Sequence, residues 1–121
     1  MLSWDTIAYG AALSAVLGVL LALVARERRP LVLAAVAIGT GGGPVAWNAI
    51  LRATRADQFF VDAPIPAFPI SWQDTGSGVF AFAALALILA AAVPSTSSPR
   101  RVAGLALLGS ISALLVDIYL Y

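Results

Sequence analysis

A chain of 121 residues with 61% hydrophobic and only 11% charged residues is far more apolar than a water-soluble domain, where about half are apolar and about a quarter charged. It has no cysteine, no histidine and no methionine beyond Met1, which excludes disulfide, thiolate and imidazole chemistry and the usual side-chain ligands of haem, zinc and copper; no cofactor is expected. The formal charge of +1 says little, but all seven basic residues are arginine, and Arg26, Arg28, Arg29, Arg100 and Arg101 fall in two short segments.

The apolar residues collect in windows 7–25, 31–51, 78–93 and 102–121, each near the ~20 residues that cross a hydrocarbon core as a helix. These windows predict one all-α domain over residues 1–121, a bundle of four transmembrane helices at about 5–28, 30–55, 72–93 and 99–120. The helices pair as two antiparallel hairpins joined by a proline-rich loop over residues 56–71. The lipid bilayer is the first partner to expect, and nucleic acid is not one. Arginine-rich connections mark the cytoplasmic side, which puts both termini and the long loop outside. Met1 to Asp5 has no basic run, so a cleaved signal peptide is not expected. Small size and a lysine-free, alanine-rich composition suggest the plasma (inner) membrane of a prokaryote.

In chain order, Ser3 or Asp5 can cap helix 1. Gly10, Ser14, Gly18 and Ala22 then recur every four residues, the small-residue spacing on which a neighbouring helix packs closely, inside the bundle or in a dimer. The turn Glu27-Arg28-Arg29-Pro30 is short, with proline suited to the first position of helix 2. Helix 2 meets Gly39-Thr40-Gly41-Gly42-Gly43-Pro44, a composition that fits either a helix break or a surface for close packing. Helical spacing aligns Ala34, Ala37, Gly41, Asn48, Arg52 and Arg55 in one stripe, small at one end and polar at the other. Ala103, Ala106, Ser110, Ala113 and Asp117 form a similar stripe on helix 4. The two stripes are therefore expected to face each other, with Asp117 near Arg52 or Arg55.

The loop carries Asp62, three prolines and several aromatic residues, so it is expected to lie along the outer membrane interface or to cover the mouth of the bundle. Ser71-Trp72-Gln73-Asp74 has the spacing of a capping box and should start helix 3, which Pro94 should end. A polar linker follows, and Ser98-Pro99 should start helix 4.

Chemistry-bearing groups are few, and none is an ionisable residue at mid-membrane depth, where charge is costly and marks function. Gly41, Gly42, Gly43, Trp47 and Asn48 around the glycine run, and Arg52, Arg55, Asp62, Trp72, Asp74 and Asp117 near the outer ends, make up a candidate polar, ligand or packing site. The leading functional expectation is a non-catalytic accessory or structural subunit of a larger membrane complex, with partner subunits or copies of itself docked on small-residue faces and the outer loop. The alternative is a small oligomeric transporter or channel with a midplane site at residues 39–48, built on a discontinuous helix. Chemistry on lipid-linked substrates through Asp62, Asp74 or Asp117 stands third.

Overall fold

The computed structural model describes residues 1–92 and 98–120. It contains α1 (Trp4–Val24), α2 (Pro30–Thr54), a 3-10 turn (Asp57–Phe60), α3 (Trp72–Ala92) and α4 (Pro99–Tyr119). All four α-helices are long and apolar enough to cross a membrane. At 21 to 25 residues they span about 31 to 38 Å, against a hydrocarbon core of about 30 Å. The protein is an integral membrane protein, a four-helix bundle of transmembrane helices.

Local signals start the helices. Ser3 Oγ accepts the Thr6 N–H at the head of α1, and Ser98 Oγ accepts the Arg101 N–H at the head of α4. At α3 the capping box closes in both directions: the Ser71 N–H donates to Asp74 Oδ2 at 2.8 Å and the Asp74 N–H to Ser71 Oγ at 3.2 Å. Pro94 and the polar linker expected after α3 lie outside the described residues, apart from Ser98.

α1 ends at Val24, short of the expected residue 28. The Glu27 N–H bonds to the Ala22 carbonyl and the Arg26 N–H to the Leu23 carbonyl, a Schellman closure that places Arg26 in the left-handed region at φ 68°. α2 closes the same way on Arg55, at φ 53°. Glycine is the usual residue at this position, and with arginine there nothing local marks the earlier stop.

The glycine run contains no break. α2 is continuous from Pro30 to Thr54 with Pro44 inside it, and residues 39–44 serve helix contact. A Cβ on Gly39 would lie 2.8 Å from Leu85 Cα, and one on Gly43 would lie 2.5 Å from the Phe80 carbonyl oxygen, so α3 packs against α2 backbone to backbone. Gly41 faces α1, where a Cβ would meet the Ala11 carbonyl oxygen at 3.1 Å. Thr40 is the knob between these glycines: its side chain fills a notch formed by Gly18 of α1 and Gly109 of α4. The facing of α2 and α4 stripes therefore needs correction, because α3 is the neighbour that meets the α2 backbone. Ala34 and Ala103, expected on the inner stripes, are both exposed. On α1, Gly10, Ser14, Gly18 and Ala22 are all buried within the bundle.

The interior is graded. Toward the arginine-rich end the core is aliphatic, with Ala22, Val32, Val36, Leu85, Leu89 and Leu105 among its members. Toward the loop end Asn48, Gln73, Ser77 and Asp117 are buried. Between them, Ser14 Oγ and Thr40 Oγ1 are buried without a hydrogen-bond partner among the described residues. Pro44 has no N–H, so the Thr40 carbonyl also lacks its usual donor one turn on.

Glu27 clamps the arginine-rich end. Its carboxylate accepts Arg29 Nε at 3.2 Å and an Arg29 terminal nitrogen at 2.9 Å, together with the Arg28 backbone N–H at 3.1 Å. Arg101 of α4 donates to the Ala25 carbonyl at 2.9 Å and lies 3.8 Å from the same carboxylate. The Arg29 hydrogen bonds hold the Glu27 carboxyl below its ordinary value of 4.5, against the opposing effect of burial.

Two outcomes follow from this packing. Gly43→Ala should cost about 1 to 3 kcal/mol, whereas Gly42→Ala, with open space around the position, should stay within about 0.5 kcal/mol, both read from unfolding in mild detergent. A carboxyl lowered in the folded state stabilises above its unfolded value and loses that contribution as pH falls through the folded one. The Glu27 contribution should therefore be level from neutral pH to about 5 and then be lost, so Glu27→Gln should flatten that part of the acid limb relative to the unchanged protein, as thermal melts across pH would record.

Candidate functional site

The loop end is built by the first turns of α3 and the last turns of α2 and α4. Trp47 ties the first two together: its indole N–H donates to the Gln73 carbonyl at 2.9 Å, and its ring lies 5.1 Å from Phe80 and 5.8 Å from Phe59 between centroids. Gly76 gives the indole its seat, since a Cβ there would overlap the ring.

Gln73 is the hub. Its side-chain nitrogen donates to Asn48 Oδ1 at 3.1 Å and to Asp117 Oδ2 at 3.0 Å, with Ser77 Oγ a third acceptor at 3.3 Å. Asn48 donates in turn to the Pro44 carbonyl at 2.9 Å. One amide thus joins α2, α3 and α4 where all four side chains are buried, a setting in which an unmet polar group is costly.

Above the hub lies a cavity of about 180 Å³, lined by Asp62, Asp74, Asp117, Ser71 and Gln73 together with Leu2, Phe60, Pro69 and Ile118. Asp74 and Asp117 are buried and Asp62 is exposed. Its walls offer carboxylate and amide acceptors, which suit a hydrated or cationic group. Among the described residues no three acidic side chains group to hold a metal ion.

The loop has an ordered path of its own. The Ala63 N–H donates to the Ile70 carbonyl at 2.7 Å, and Tyr119 of α4 donates to the Ala67 carbonyl at 2.7 Å. Beside it runs a second groove of about 300 Å³, lined by Val61, Asp62, Ala63, Ile70, Ser71, Trp72 and Thr75. Val61 and Trp72 are 71% and 70% exposed, and Ile65 and Phe68 are exposed as well.

Not every residue singled out in the sequence joins this site. Asn48, Trp47 and Asp117 enter the hub, and Asp62 and Asp74 line the cavity. Gly41 and Gly43 are packing contacts deeper in the bundle, and Gly42 faces outward. The expected pairing of Asp117 with Arg52 or Arg55 does not form: Gln73 holds Asp117, while Arg52 donates to the Leu2 carbonyl at 2.6 Å and lies 5.0 Å over the Trp4 ring. Arg55 is spent on the helix stop and is exposed. Gln73, Ser77 and Glu27 lie outside the candidate set, although an amide one turn before a serine in an apolar helix is a readable cue for the first two.

Comparison with protein-family models, with curated proteins and with solved structures finds no match, so the site is read from its geometry.

Gln73→Leu should strand the Asn48 acceptor, at about 1 to 3 kcal/mol, and remove one hydrogen bond from Asp117. In a double-mutant cycle, Gln73→Leu and Asp117→Leu should cost less together than the sum of the two, with a coupling of about 0.5 to 3 kcal/mol; additive losses would show that the two side chains act independently.

Proposed function

We propose that this protein is a non-catalytic accessory or structural subunit of a larger membrane complex in a prokaryotic plasma (inner) membrane. Its helices form two antiparallel hairpins with both termini and the residue 56–71 loop outside, and a partner subunit or second copy docks against that loop. The observation that carries this reading is the exposed apolar surface of the loop and the start of α3. Val61, Ile65, Phe68 and Trp72 stand exposed on a segment whose path is held by its own hydrogen bonds and by Tyr119. Ordered apolar surface of this kind, beside a groove, is what a docking partner buries. The arginine-rich connections support the assigned orientation.

A second reading, a small oligomeric transporter or channel, draws on the hydroxyls of Ser14 and Thr40 inside the bundle, which have no hydrogen-bond partner among the described residues. It no longer has a helix break to build on, since α2 is continuous.

Affinity purification in mild detergent separates the two. The subunit reading expects stoichiometric co-purification with a larger complex, lost when Val61, Phe68 and Trp72 are replaced by serine while the bundle stays folded. Isolation as a lone homo-oligomer that carries solute or ion flux in liposomes would sink it. Full complementation by Asp62→Asn, Asp74→Asn, Asp117→Asn together would dispose of carboxylate chemistry.

A further inference from the structure

The arginine-rich end has more cationic charge than the protein itself neutralises. Five arginines stand there against Glu27 alone, and Glu27 is taken up by Arg29 with Arg101 close behind. Arg28 folds onto the neutral carbonyls of Leu23 and Glu27, at 2.7 and 2.9 Å. Arg26 and Arg100 are exposed and make no ion pair among the described residues.

Each of these two arginines is next in the chain to a residue of one hydrogen bond that joins α1 to α4. Arg101 donates to the Ala25 carbonyl, so the residues next in the chain, Arg26 and Arg100, flank one hydrogen bond between the end of α1 and the start of α4. Below Arg26 on α1 an apolar track of exposed Val24, Leu20 and Val16 runs inward. It leads into a groove of about 260 Å³ between α1 and α2, lined by Ala15, Val16, Val19, Leu20 and Ala37 with almost no polar surface. The groove starts about 6 Å and ends about 14 Å below the end of α1, the depth of acyl chains in that leaflet.

We propose that this end binds an anionic phospholipid, with its phosphate between Arg26 and Arg100 and an acyl chain in the α1–α2 groove. The charge selects the headgroup, because guanidinium groups pair with phosphate oxygens and a zwitterionic lipid brings its own cation. The groove selects a lipid over a free phosphate.

The test is the melting temperature of the full chain in mild detergent, titrated with phosphatidylglycerol, phosphatidylcholine or inorganic phosphate. Phosphatidylglycerol should raise it saturably and phosphatidylcholine much less. Arg26→Gln and Arg100→Gln should each weaken the response about fivefold, while Arg55→Gln at the opposite end should leave it unchanged. Ala37→Phe, which fills the groove, should weaken the lipid response even with both arginines present. Equal responses to the two lipids, or a full response in the Arg26→Gln, Arg100→Gln double variant, would overturn the headgroup site. A full response to inorganic phosphate, or no effect of Ala37→Phe, would overturn the lipid assignment.

Discussion

Gly39, Gly41 and Gly43 remove the side chains that would otherwise separate α2 from α3 and α1, and the other helices take their positions from that approach. In a bilayer little hydrophobic force drives helices together, because lipid tails are as apolar as leucine. Close van der Waals contact and interhelical hydrogen bonds must do it, and both need backbones to come near. The glycines supply the nearness, and Thr40, seated against Gly18 and Gly109, brings α1 and α4 onto the same level of α2.

The polar hub at the loop end depends on that spacing. Gln73 reaches Asn48 and Asp117 together because α3 lies against both α2 and α4 at the same height. The ends are then closed by different chemistry. Glu27 and Arg101 hold the arginine-rich end by charge, whereas Trp47, Arg52 and Tyr119 hold the other by indole, guanidinium and phenol hydrogen bonds to backbone carbonyls. Arg52 thus brings the N-terminal segment, and Tyr119 the loop, onto the bundle through backbone carbonyls, with the N-terminal ammonium 3.8 Å from Asp57.

What could be read from the sequence was local. Window lengths located four helices, the caps at Ser71 with Asp74 and at Ser98 with Pro99 stand where the residues place them, and of Ser3 and Asp5 it is Ser3 that caps α1, since a cap needs only its own first turn. The stop of α1 was misplaced because an arginine occupies the left-handed position where glycine gives the usual signal. Neighbour relations were harder. Residues 39–43 are small on more than one face of α2, so no single stripe identifies what packs there, and the pairing of Asp117 with arginine lost to a glutamine on a third helix. Gln73 was legible as a helix start but not as a hub, because its role depends on which helices meet, a property no one segment carries.

The absence of native cysteine allows the central contact to be tested directly. A Cβ at position 41 would lie 3.5 Å from the Ala15 Cβ, within the ~3.5–4.5 Å that a disulfide requires, while position 42 faces outward. In membranes, the Ala15→Cys, Gly41→Cys pair should oxidise to an intramolecular crosslink, and the Ala15→Cys, Gly42→Cys pair should not. Efficient crosslinking at 42, or none at 41, would mean that α2 presents a different face to α1 and that the glycine contacts do not set the bundle.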